Sequence, residues 1–314
     1  MIQARPLRLA FAAVLLVSGV GERASAQALR ADFVYGRDYT FDRMEATRTV
    51  DDADDKGAIR LVTYVYRPVK NDRHEVVLFS HGSTGGMITP PKEPPRDFPP
   101  RAVVRFFISR GYTVVAPFRR GRGESTGKYV EECSAFIGQC TTADQVALTE
   151  RGLREALLDT NAVIDQLVLG GLVPRESKIL LAGHSRGGFL SLALAAERPS
   201  LAKGVINFAG GWLGVTDNLS PRENLQRTEE QTGRLSRAAK QARMPTIWIY
   251  AVRDPLFKEG VPAELVRAWR EAGGQAEFVN ITEHSLPNAH LAASEGALWE
   301  RQMDVFMKQF DPQK

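Results

Sequence analysis

Ser185 lies in the run Gly183-His184-Ser185-Arg186-Gly187-Gly188, directly after a short apolar stretch and directly before a helical one. A hydroxyl at the tip of a sharp strand-to-helix turn stands clear of the sheet, where it can attack a carbonyl. Such a turn needs small residues on both sides, and Gly183 and Gly187 supply them. The bland alternative is a glycine-rich turn with an ordinary helix-capping serine. A phosphate-binding loop fits worse, because the lysine of that motif is absent. A serine hydroxyl alone is a weak nucleophile at neutral pH. It needs an imidazole to take its proton and a carboxylate to orient that imidazole. Downstream of Ser185 the chain holds two histidines, His284 and His290. His290 is the preferred base, because the loop must first swing back over the sheet edge before a base can face the serine. Asp254 is the preferred acid, since it follows the apolar run 246–252, at a strand end where sheets of this kind gather their chemistry. Asp254 could otherwise be a plain helix-start residue before Pro255. Glu283 is a weaker acid candidate because it shares the histidine loop.

Attack on an ester carbonyl creates an oxyanion that needs two N–H donors. The turn Ser80-His81-Gly82-Ser83-Thr84-Gly85-Gly86, after the run 76–80, turns backbone N–H groups inward. The donors are assigned to Ser83 and to Arg186, whose N–H also sits at a helix N-terminus. His81 is read as structural, holding this loop through backbone bonds.

The elements that must position these groups follow from the hydrophobic pattern. Residues 43–50 and 59–66 alternate or are β-branched and are separated by an acidic turn, which predicts an antiparallel hairpin. Near-continuous apolar runs at 76–80, 113–117, 178–182, 204–209, 246–252 and 276–281 predict strands buried on both faces of a parallel sheet. Helical patterns fill 101–110, 147–169, 187–197, 262–272 and 291–310. Strand alternating with helix gives the α/β class: a mostly parallel central sheet with an N-terminal antiparallel hairpin and helices on both faces. Two stretches break the alternation. Residues 89–100 hold six prolines, which excludes helix and central strand. Residues 213–243 are polar and read as a small helical insertion over one end of the sheet.

Taken together, the turn at 80–86, the turn Arg119-Arg120-Gly121-Arg122-Gly123-Glu124-Ser125, the serine turn at 183–188, Asp254 and His290 resemble the α/β-hydrolase superfamily. The resemblance covers about residues 43–310 and is strongest to the dienelactone-hydrolase-like and serine-peptidase-like branch. It implies hydrolysis of esters, thioesters or amides without a metal or an organic cofactor, with the order serine, acid, histidine. It also implies that the Arg119–Ser125 turn shapes the wall beside the nucleophile. The chain departs from the family where Ala289 and Leu291 flank the histidine and where Arg253 precedes the acid. The expected substrate is a small-molecule ester. A peptidase or amidase of the same fold is the alternative enzyme, and a non-catalytic binding protein on the same scaffold is the alternative of a different class.

Arg119, Arg120 and Arg122 are candidates to hold a substrate carboxylate by bidentate bonds. Burial of the three against backbone carbonyls and acidic neighbours is the competing use. Trp212 is a candidate to line an acyl or aryl pocket, with core or lid packing as its competitor.

The chain has 314 residues, 43% of them hydrophobic and 25% charged, with a net charge of +4. That is globular composition, and the basic residues are spread among acidic ones, so nucleic acid is not an expected partner. Residues 1–26 carry Arg5 and Arg8, then an apolar run, then Ala24-Ser25-Ala26, which reads as a cleavable signal peptide. The mature product is therefore expected in the periplasm or secreted, without a membrane anchor. Residues 27–42 form an extension ahead of the hydrolase domain at 43–314. In an oxidising compartment the two cysteines, Cys133 and Cys140, are candidates for a disulfide, with two free thiols as the alternative.

Overall fold

The structure is a computed structural model that describes residues 33–52, 55–83, 98–131 and 141–311. The signal-peptide segment, Cys133, Cys140, Gly85, Gly86 and most of the proline-rich run lie outside the described residues. The compact unit Tyr35–Lys314 holds every element named below; of the unit Met1–Val34, only the last two residues are described.

Two long strands, β1 (Tyr39–Asp51) and β2 (Lys56–Pro68), form the antiparallel hairpin. Six short strands follow: β3 (Glu75–Ser80), β4 (Tyr112–Pro117), β5 (Ile179–His184), β6 (Ala202–Phe208), β7 (Thr246–Ala251) and β8 (Glu277–Ile281). The sheet order is β1-β2-β4-β3-β5-β6-β7-β8. β2 joins β4 antiparallel, and from β4 to β8 every pairing is parallel. Parallel strands need crossovers, and these are the helices α1 (Arg101–Ile108), α2 (Thr142–Leu169), α3 (Arg186–Glu197), α4 (Pro221–Ala239) and α5 (Val261–Glu271). Leu153, Ile164, Phe189, Leu192, Leu235, Leu265 and Trp269 from α2 to α5 pack over Leu78, Val115, Leu181, Val205 and Trp248. The opposite face is closed by α1 and α6 (Glu300–Met307), where Trp299 bridges Phe106 and Phe208 edge-on. Strands covered on both faces explain the near-continuous apolar runs; β4 and β7 are buried at every position.

The insertion at 213–243 holds one helix, α4, started by a capping box in which Ser220 and Glu223 exchange bonds. One difference from the sequence expectations matters: the last segment is not one helix over 291–310. It runs as a 3₁₀ turn Ala289–Ser294, a second at Gly296–Leu298, then α6 and a final 3₁₀ turn. Glu295 and Trp299 carry the breaks, with φ −113° and −139°. Along this broken path His290 is buried, and Trp299, Met303 and Phe306 sit in the core.

Candidate active site

β5 ends at His184, and α3 begins at Arg186, so the turn between them is the single residue Ser185. Its backbone has φ 56° and ψ −126°, a conformation that L-residues avoid. Neighbours hold it there. Ser185 N–H donates to Phe208 O at 2.9 Å, and its carbonyl accepts from Gly188 at 2.9 Å and Gly211 at 3.2 Å. The flanking glycines are required by space: a Cβ on Gly183 would overlap Gly187, and one on Gly187 would overlap Ser80 O and His81 O. Gly82 lies against Ser185 itself, since a Cβ there would meet Ser185 Cβ at 2.8 Å and Oγ at 3.4 Å. The His81-Gly82-Ser83 turn therefore abuts the serine turn, which brings the two segments expected to supply oxyanion donors side by side.

Asp254 follows β7 on a loop turned by Arg253, whose φ is 61°. The carboxylate is buried and each oxygen is bonded: Oδ1 accepts from Leu256 N–H at 2.8 Å, and Oδ2 accepts from His290 Nδ1 at 2.9 Å. The bond to an ionised carboxylate places the proton of a neutral His290 on Nδ1 and frees Nε2 to accept one. His290 is buried too, and its backbone is anchored at both ends. Its N–H donates to Asn288 Oδ1 at 3.1 Å, and its carbonyl accepts from His184 Nε2 at 2.7 Å. The His184 and His290 rings lie 4.7 Å apart. His184 precedes Ser185, so serine, imidazole and carboxylate gather at the C-terminal ends of β5, β7 and β8. His284 is occupied elsewhere: Nε2 bonds Val252 O at 2.9 Å, and Nδ1 accepts from Leu286 N–H at 3.3 Å. It braces the loop that carries Asp254.

Of the two uses open to Arg119, Arg120 and Arg122, a substrate carboxylate or this chain's own groups, the structure fills the second for Arg119 and Arg120 with carboxylates and for Arg122 with an aromatic ring. All three are buried against this chain's own groups. Arg119 forms a forked pair with Glu131, through Nε to Oε1 and Nη2 to Oε2, the latter at 3.0 Å. It also grips the His81–Ser83 turn, donating Nη1–H to His81 O at 2.9 Å and its backbone N–H to His81 Nε2 at 3.1 Å. Arg120 binds Asp52 and Glu155, each at 2.8 Å, and faces Asp159. Arg122 stacks its guanidinium 3.3 Å from the Tyr129 ring centroid. A substrate carboxylate would have to displace a buried carboxylate from Arg119 or Arg120, at a cost of about 3–5 kcal/mol for each broken pair.

His81 completes this support. Nδ1 donates to Gly82 O at 2.7 Å while Nε2 accepts from Arg119, so the ring is neutral. Burial, reinforced by the Arg119 charge, pushes its pKa down to about 3. Glu131 is a residue that the sequence reading missed. Burial alone would raise its carboxyl, but the charge of Arg119 outweighs this and holds it below the usual range. Tyr129 links Glu131, at 3.1 Å, to Arg186 Nη1, at 3.0 Å. One polar chain thus runs from Arg186, the residue after Ser185, to the turn carrying Ser83.

Trp212, after β6, is 2% exposed and packs its indole beside Phe189, with the Arg186 guanidinium 5.6 Å from the ring. Its backbone is pinned by Gln231 of α4. Gln231 Oε1 accepts from Trp212 N–H at 2.8 Å and Leu213 N–H at 3.1 Å, and Nε2 donates to Leu213 O at 3.0 Å. Gln231 was also missed. Its sequence signal is the stripe Thr228, Gln231, Leu235, Ala239 at helical spacing, which is the buried face of a polar helix. Among the described residues, no three His, Cys, Asp or Glu side chains gather in a way that would hold a metal ion.

Residues 76–306 match the family model described as the alpha/beta hydrolase family. No curated protein matches the chain. Solved structures share the fold at low identity. A Pyrococcus furiosus esterase is 17% identical, with TM-score 0.58, covering 86% of this chain and 91% of its own. A Pyrococcus horikoshii acylaminoacyl peptidase is 16% identical, with TM-score 0.57, covering 91% of this chain but 43% of its own. A Klebsiella pneumoniae protein assigned as a dienelactone hydrolase is 16% identical, with TM-score 0.51, covering 85% and 98%.

Proposed function

The chain belongs to the alpha/beta hydrolase family, and on that premise we propose that it is an exported serine hydrolase that cleaves small carboxylic esters through an acyl-enzyme. The observation that carries this reading is the 2.9 Å bond from His290 to Asp254, on a backbone tied to the residue before a strained, turn-tip Ser185. In this mechanism His290 Nε2 takes the Ser185 proton as Oγ attacks the ester carbonyl. Asp254 holds the ring's tautomer and stabilises the imidazolium. The N–H groups of Ser83 and Arg186 receive the oxyanion. The imidazolium returns its proton to the leaving alcohol, and water, activated by the same imidazole, then releases the acid. Export rests on residues 1–26, and the proposed Cys133–Cys140 bridge rests on export. The esterase among the structural relatives favours ester over amide substrates, and the acylaminoacyl peptidase keeps amides in the test.

The experiment is a panel of nitrophenyl esters beside aminoacyl anilides, run on the wild type and on Ser185→Ala, with fluorophosphonate labelling in parallel. Wild-type protein is expected to label at Ser185 and to prefer esters. Ser185→Ala is expected to lose roughly four to six orders of magnitude in kcat while keeping its fold. A folded Ser185→Ala protein with near-wild-type activity overturns the assignment, and a clear preference for anilides moves it to the peptidase reading.

A further inference from the structure

His184 occupies the variable position of the serine turn, where the proposed chemistry assigns it no role. Its ring nevertheless makes one well-formed bond, Nε2 to His290 O at 2.7 Å. A carbonyl carries no proton, so Nε2 must donate, which fixes the tautomer of His184. Burial is the main cause pushing its pKa down to about 4, with the nearby His290 adding to the effect. The donor is therefore neutral throughout the range in which an imidazole base works. The bond spans 106 residues of sequence and joins the neighbour of the nucleophile to the backbone of the base.

Of the polar atoms of His290, the backbone N–H is held by Asn288, the carbonyl by His184 and Nδ1 by Asp254. Asn288 belongs to the same loop and moves with it. Asp254 is bonded to the ring and fixes its tilt. Among the described residues, only His184 connects the backbone of His290 to the serine turn. The rings also pack at 4.7 Å with a 53° tilt, so the contact has a preferred orientation as well as a bond.

We propose that His184 is a positioning residue: its Nε2–H, bonded to the His290 carbonyl, sets the separation between the base and Ser185. The inference rests on the serine-hydrolase reading above. Displacing the base by about 1 Å is enough to cost on the order of 100-fold in rate, because proton transfer depends on near-attack geometry. Substrate binding need not change, so the loss falls on kcat.

The test compares His184→Leu, His184→Gln and His184→Asn. The glutamine amide nitrogen reaches about as far as Nε2 and donates, the asparagine falls short, and leucine has no donor. His184→Leu is expected to lose about 10- to 100-fold in kcat with KM changed less than about threefold. His184→Gln is expected to recover most of that loss, and His184→Asn little of it. Wild-type kcat in His184→Leu, or equal losses in Leu and Gln variants, overturns the proposal. If His184→Leu does not fold, equal kcat in folded Gln and Asn variants overturns it as well. Ser185→Ala is run alongside. If Ser185→Ala is inactive and the His184 variants match wild type, only the positioning role falls. If Ser185→Ala stays active, the serine mechanism falls and the positioning role with it.

Discussion

His81 and His184 each donate to a backbone carbonyl, and both are held neutral, with pKa values near 3 and 4. An unfolded chain would protonate the same rings around pH 6.5. Between those values the unfolded state binds more protons than the folded one, so stability rises with pH and falls as the solution is acidified. Each ring contributes a slope of about 1.4 kcal/mol per pH unit once the pH is below its unfolded value. Glu131, held below the usual carboxylate range, loses its pairing only at lower pH. Asp159, raised chiefly by burial, works in the opposite sense, and comparison with a variant subtracts its effect. Urea unfolding at pH 7 and pH 5 should show a clear loss of stability at pH 5, and His81→Gln should show a shallower loss. Equal slopes in the two proteins would mean that His81 does not carry the effect. The same residues mark what could be read in advance. Ser185, Gly183 and Gly187 declare themselves because the needs of a one-residue turn are met within six positions. The pairing of Asp254 with His290 was legible only as an order along the chain, since nothing local to either residue specifies the other.

At the level of elements, Arg120 is the joint between the β1–β2 hairpin, the turn after β4 and α2. Its side chain is 1% exposed and reaches Asp52 and Glu155, while its backbone N–H reaches Asp159. Arg48 of β1 binds Glu155 and Asp159 from the other side. Replacing Arg120 by Met keeps the volume but leaves buried carboxylates without their main counter-charge, so a loss of about 3–5 kcal/mol is expected. A fall in the denaturation midpoint, with any residual activity retaining its KM, would agree with this. A KM that rises sharply at unchanged stability would instead return Arg120 to substrate binding. These pairs link residues 68, 35 and 39 positions apart, which is why three arginines in one turn looked equally suited to a ligand. Strand positions were legible because double-sided burial leaves unbroken apolar runs. The broken course of 289–310 was not, because an apolar stripe reports what is buried and not where the chain must bend to keep His290 inside.

At the scale of the whole molecule, the site draws on strands of unequal security. β5 lies inside the sheet and β7 is buried at every residue, whereas β8 is an edge strand, with only Ile281 of its residues buried. Ser185 and Asp254 thus hang from the interior, and His290 hangs from the margin. Segments with few buried contacts open at lower free energy than the global transition. Warming should therefore detach the β8 loop and silence the enzyme while most of the sheet is intact. Activity assayed at each temperature should reach half its maximum several degrees below the circular-dichroism midpoint and return on cooling; coincident midpoints would count against this. The useful temperature range of the enzyme is then set by its weakest edge, and bracing β8 alone would widen that range without altering a single residue that touches the substrate.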